Sequence, residues 1–186
     1  MDNFAAGYAL GRHMFERGAR RIAFHFRRFA APSVADRIRG MAAAMQEAGV
    51  NWRMSENVIS CESDSRKEIA DFMSRRRPDA IVAYNDKAAL VLMRTLSQMG
   101  VNVPEDVMLA GFDDIPAAVA SNPSLTTMAQ PVDDIASVAF NTLVSRIKLP
   151  DFPLRKTILP CRLVPRSSTD RTGLRSLKHK KLAYAS

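Results

Sequence analysis

The sequence predicts an α/β domain, a parallel β-sheet with helices on both faces. Strand-like apolar runs alternate with segments of helical periodicity, joined by short connections, as in successive βαβ units. The runs at residues 80–84 and 107–112 are near-continuously apolar, as strands covered on both sides must be. Three helical segments stop at glycines, Gly18, Gly49 and Gly100.

Residues 3–17 form the first helix, with Phe4, Tyr8, Leu10, Met14 and Phe15 near helical spacing. Residues 21–26 are a strand in which Ile22, Phe24 and Phe26 alternate. Pro32-Ser33 marks a turn into a helix over 34–48. Residues 57–60 make a short strand, and 65–75 a helix with Ile69, Phe72 and Met73 inward. Residues 80–84 are the third strand, 86–99 the fourth helix, 107–112 the fourth strand, and a short helix begins near Ile115. Beyond Ser124 the rhythm changes. Residues 125–128 read as a strand, and Pro131 starts a helix over 132–147. That helix carries Val132, Ile135, Ala136, Ala139, Leu143 and Ile147 on one face. Pro150 and Pro153 punctuate the return to a last strand at 158–164.

At 186 residues the chain supports one proper core, and 47% hydrophobic with 25% charged residues is ordinary globular composition. No apolar run approaches the roughly 20 residues of a membrane helix. The first residues lack the basic and apolar regions of a signal peptide, so a cytoplasmic protein is expected. Cys61 and Cys161 are distant, which predicts buried thiols in a reducing compartment. His13, His25 and His179 show no metal spacing, and no phosphate loop or nucleophile elbow occurs, so no cofactor or metal is expected. The ten methionines read as core filler. Of the net charge of +8, +5 falls in residues 166–186, where Arg166, Arg171, Arg175, Lys178, Lys180 and Lys181 face Asp170 alone. Residues 169–186 are expected to be a basic tail. It could contact phosphates, but without aromatic interleaving it reads first as a solvated, disordered end.

The chemistry concentrates where strands end. Asn85-Asp86 follows one apolar strand and Asp113-Asp114 another. In a parallel sheet ligands bind at the carboxyl ends of strands, so these residues belong at a cleft mouth. Paired carboxylates also serve acid–base catalysis or hard cations. No histidine, lysine or third carboxylate stands near them in sequence, and that reading ranks low.

An ordered set of motifs spans residues 2–168. It comprises Asp2-Asn3, Ala6-Gly7, residues 17–23 (Arg-Gly-Ala-Arg-Arg-Ile-Ala), Arg37-Ile38-Arg39-Gly40, Glu47-Ala48-Gly49, Asn85-Asp86, residues 111–116 (Gly-Phe-Asp-Asp-Ile-Pro) and Leu125-Thr126-Thr127. This set resembles the effector-binding core of the lactose/galactose-repressor family of bacterial transcription factors. The resemblance implies the Rossmann-like C-terminal lobe of a periplasmic-binding-protein-like fold over residues 1–168, with a crossover segment at about 126–150 that packs in a second, amino-terminal lobe. The helix-turn-helix headpiece and most of that second lobe are expected to be absent, which would leave the stripe on 132–147 without its usual partner and prone to association, partial disorder or repacking.

The resemblance also implies site residues. Arg37, three residues before Gly40, matches an arginine that hydrogen-bonds the effector, and its planar fork of donors suits hydroxyls, carboxylates or carbonyls. Ser33 matches a small polar position and is either a ligand contact or the cap of the following helix. Asn85 is expected to contact the ligand, although Asn85 or Asp86 could simply cap the following helix; both readings hold with Asp86 on the cap and Asn85 facing the cleft. Asp113 is expected to contact the ligand, and Asp114 to cap the short helix. Cys61 falls near a position that often carries a stacking aromatic ring, and Gln130 is a weaker candidate. The implied function is the sensor part of a regulator that binds a small polar effector such as a sugar, forms a homodimer, and reaches operator DNA only through the missing headpiece, with no membrane partner. The competing readings are a solute-binding protein of a sugar transport system, a small enzyme using Asp113 and Asp114, and a truncated remnant.

Overall fold

The computed structural model describes residues 1–27, 31–149, 153 and 155–171. The first half alternates helix and strand: α1 (Asn3–Glu16), β1 (Ile22–Phe26), α2 (Pro32–Glu47), the single turn α3 (Met54–Asn57), β2 (Val58–Ser60), α4 (Arg66–Arg76) and β3 (Ala80–Ala83). The second half holds α5 (Asp86–Gln98), β4 (Met108–Asp113), α6 (Pro116–Ala120), β5 (Thr126–Ala129), α7 (Val132–Lys148) and β6 (Arg162–Val164), followed by a 3₁₀ turn at Ser167–Thr169.

The six strands lie in the order β2-β1-β3-β4-β5-β6. Pairings from β2 through β5 are parallel, and β6 returns antiparallel on β5, with Met128 opposite Leu163. The sheet is therefore mostly rather than wholly parallel. A strand that follows a long excursion, not a βαβ crossover, is free to enter in either sense.

Alternation along each strand splits the core in two. Ile22, Phe24, Ala80, Val82, Met108, Ala110 and Phe112 point toward α1 and α2. Ala23, Ile81, Ala83 and Leu109 point toward α4 and α5. On the first face α1 and α2 touch backbone to backbone. A Cβ on Gly7 would stand 2.0 Å from the Arg37 carbonyl oxygen, and one on Gly40 would stand 2.0 Å from that of Phe4. The predicted glycine stops all take left-handed φ, at +94° for Gly18, +69° for Gly49 and +75° for Gly100.

The domain reaches past the predicted boundary at residue 168. Ser168 and Thr169 are buried. The Ser168 hydroxyl donates to the Leu109 carbonyl and accepts from Thr126 N–H, and Arg171 donates to the carbonyls of Pro104 and Asp79. The tail from residue 172 lies outside the described residues. Helix α7 contributes no buried residue. No helix among the described residues is long and apolar enough to cross a membrane.

Candidate functional site

The site lies at the carboxyl ends of the parallel strands. Asp113 ends β4, Asn85 follows β3 by two residues, and Cys61 and Gln130 come directly after β2 and β5. Arg37 reaches this edge from the second turn of α2. Its side chain is 6% exposed. Nε donates to Asn3 Oδ1 at 3.0 Å, Nη1 donates to the Tyr84 carbonyl, and the guanidinium lies 4.3 Å from the centre of the Phe112 ring. Arg37 thus joins the tips of β3 and β4 to the start of α1. Burial lowers its affinity for its proton, and the nearby Asp113 charge works the other way. No direct hydrogen bond joins Arg37 to Asp113. Asp113 instead accepts from Gln130 Nε2 at 2.5 Å.

The acidic pair after β4 is split between partners. Asp114 forms a half-buried ion pair with Arg166 at 2.5 Å, and Arg166 also donates to the Leu125 carbonyl. Asp114 does not cap the short helix. α6 begins at Pro116 after Ile115, with no side-chain cap. Asp113 and Asp114 occupy φ of +111° and +59°. Two consecutive non-glycine residues in that region cost free energy and persist only where neighbours hold them. Here the holders are Arg166 on one side and Asp86 on the other.

Of the two cap candidates the structure selects Asn85, not Asp86. Asn85 Oδ1 accepts from Ala88 N–H at 2.8 Å and is the N-cap of α5. Asp86 turns into the protein and is fully buried. It accepts from the Thr127 hydroxyl at 2.7 Å and from Ile115 N–H at 3.0 Å. Burial, with a smaller contribution from Asp113, pushes its carboxyl up to about 6 against hydrogen bonds from Thr127 and the backbone of Ile115 and Asp114. It packs so closely on β4 that a Cβ at Gly111 would meet Asp86 Oδ1 at 2.3 Å.

Ser33 is not a helix cap. Ala31 holds that position and Pro32 opens α2. Ser33 sits one turn before Arg37, on the same side of the helix. Cys61 is 1% exposed and packs in the core beside Ile59 and Ile69, with its carbonyl accepting from His25 Nε2 at 3.1 Å. Its side chain is not on the cleft surface. Cys161, expected to be buried, is half-buried and close enough to Arg37 and Asp113 to feel both charges, while burial raises its thiol above the ordinary value. Sequence reasoning also missed Asn3, Phe112 and Thr127 as supports. All three fall within the motif set, and Gly111 within a strand was a signal of close approach. A separate hollow of about 220 Å³, lined by residues such as Arg12, Phe15 and Glu47, lies between the outer faces of α1 and α2 and touches none of these groups. Among the described residues, no group of three or more histidine, cysteine or acidic side chains could hold a metal ion.

Residues 12–169 match the family described as periplasmic binding protein-like domain. The chain is 34% identical over 181 residues to a probable opine utilization operon repressor of Rhizobium rhizogenes, covering 90% of each. It is 34% identical over 148 residues to the HTH-type transcriptional repressor PurR of Vibrio vulnificus, covering 76% of this chain and 43% of that one. Among solved structures, a LacI family transcriptional regulator from Enterococcus faecium with bound ribose superposes with a TM-score of 0.79 at 27% identity, covering 90% of this chain and 63% of that one. The chain spans less than half of the Vibrio repressor and less than two thirds of the Enterococcus regulator. The chain therefore belongs to the periplasmic binding protein-like family, as an effector-binding core of the LacI type.

Proposed function

We propose that this chain is the ligand-sensing part of a cytoplasmic LacI-type regulator, and that it binds a small hydroxyl-rich metabolite at the strand tips. The observation that supports this most is Arg37, fixed across β3 and β4 with donors to spare, beside Asp113 and Gln130. A guanidinium offers five N–H groups, and the hydrogen bonds to Asn3 and Tyr84 occupy two. Donor and acceptor side chains side by side are what a sugar ring needs. Effector binding would shift the balance between conformations and thereby change operator affinity through a DNA-binding headpiece. Because palindromic operators are read by two-fold assemblies, the sensor would act as a homodimer.

The test is isothermal titration with ribose and one opine, the compounds named for the Enterococcus regulator and the Rhizobium repressor, and with arabinose as a second pentose. One of them should bind, and Asp113→Ala and Arg37→Lys should each weaken that binding by about tenfold or more, worth about 1.4 kcal/mol. Binding unaffected by both substitutions, or no binding by any of the three, would count against this site.

A further inference from the structure

We propose that the end of the sheet opposite the cleft carries a phosphate-binding face for duplex DNA, formed by Arg20, Arg21, Arg53, Arg75, Arg76 and Arg77 and indifferent to base sequence. The inference stands apart from the effector and from any assembly of the chain.

The six arginines come from three separate stretches, and all are exposed. Arg20 and Arg21 lead into β1, Arg53 precedes α3, and Arg75, Arg76 and Arg77 close α4 just before β3. Contacts between the stretches make them one surface. Arg21 Nε donates to the Arg77 carbonyl at 2.6 Å, and Arg76 and Arg53 flank Glu56 at 3.5 and 3.9 Å. Asp79 accepts from the backbone N–H groups of Arg20 and Arg21, and Arg75 pairs with Asp71. Six guanidinium groups thus stand against three carboxylates. Glu105 and Asp106 sit on the β4 side, next to Arg171.

Fold stability does not account for the cluster. Cations in the last turn of α4 offset its dipole, but Arg20, Arg21 and Arg53 belong to other elements. Arg77 stands at φ +45°, where a helix usually ends on glycine. An arginine there carries a strain that glycine would not. Guanidinium forks match phosphate oxygens. A bilayer would call for apolar anchors as well, and among the described residues Met54 is the exposed large apolar side chain adjoining the cluster. Single strands call for free stacking rings. The neighbouring rings are half-buried, Trp52 donating to the Ile22 carbonyl and Phe15 lying under Arg20. Residues 172–186 carry Arg175, Lys178, Lys180 and Lys181 and no acidic residue, so their charge adds to this face and would be repelled from covering it.

The experiment is fluorescence anisotropy of two unrelated duplexes with residues 1–186, titrated at several salt concentrations. Both duplexes should bind equally, and affinity should fall as salt rises. Arg76→Gln/Arg77→Gly should weaken binding by about tenfold or more at low salt and reduce the log–log salt slope by about 2. Arg39→Gln/Lys87→Gln removes the same charge from α2 and α5 and should leave the slope unchanged. Arg77→Gly should melt no lower than the parent, which separates lost binding from lost fold. The proposal is overturned if neither duplex binds, including where phosphatidylserine vesicles do, or if one sequence is strongly preferred. It is also overturned if the two double variants lose binding equally. So it is if Lys178→Gln/Lys180→Gln/Lys181→Gln abolishes binding that Arg76→Gln/Arg77→Gly leaves intact.

Discussion

Acidification pulls on two buried groups in opposite senses, and substitution separates them. His25 is fully buried on β1. Its Nε2 faces a carbonyl oxygen that only accepts, so Nε2 carries the proton, and Nδ1 is buried with no partner. Burial lowers the imidazole from 6.5 to about 4. The folded state resists taking the second proton, so this contribution to stability is complete above 6.5 and is lost as pH falls toward 4. At about 1.4 kcal/mol per pH unit the loss approaches roughly 3 kcal/mol. Asp86 runs the other way. Its folded carboxyl titrates at about 6 against an ordinary 3.8. The folded state holds this proton more tightly, so stability is gained as pH falls from about 6 toward 3.8, again by up to roughly 3 kcal/mol. In the parent chain the two nearly cancel between pH 6.5 and 4. Urea unfolding at pH 7, 6, 5 and 4 should show Asp86→Asn losing stability steeply on acidification, as the histidine acts alone. His25→Leu should hold or gain stability over the same interval. His13, also lowered by burial, adds to the loss in every chain. Three parallel curves would refute the assignment of these titrations.

Three further outcomes follow from packing. Gly7→Ala should cost more than about 2 kcal/mol in urea unfolding, because its methyl meets the Arg37 backbone, which cannot rotate aside. Asn85→Ala should cost about 1 kcal/mol, and Asn85→Ser should recover most of it, if the residue acts chiefly as the α5 cap. Arg166→Met should cost about 3 kcal/mol by leaving Asp114 half-buried without its partner, and adding Asp114→Leu should return part of that loss.

What was legible in the sequence was local. The strands from Ile22, Ala80 and Met108 announced themselves by apolar runs, and α1, α2 and α5 by glycines that only follow helices. The candidate site was legible as a location, since Asn85 and Gln130 follow strands and Asp113 ends one. It was not legible as a division of labour. Helix-capping rules score Asn and Asp alike, so nothing local decides between Asn85 and Asp86. The decision comes from Thr127 and Ile115, which are 41 and 29 residues away from Asp86. Asp114 was misread for the same reason, because Arg166 stands 52 residues downstream. The antiparallel sense of β6 likewise has no signature in three residues, Arg162–Val164.

The distinction between support and contact bears on what the site would select. Asp86 and Asp114 are consumed in holding the strained turn after β4, and Asn85 in starting α5. Of the candidate ligand contacts, the charged ones are Arg37 and Asp113, one of each sign. A dianion would gain from the first and be repelled by the second, whereas a neutral polyol gains hydrogen bonds from both. Because Arg37 is already desolvated and clamped by Asn3, Tyr84 and Phe112, its orientation costs nothing further on binding. Lysine, a flexible point charge without the fork, would keep the sign and lose that preorganisation. Selectivity under the proposed function therefore resides in geometry rather than in net charge, and it should vary little with ionic strength.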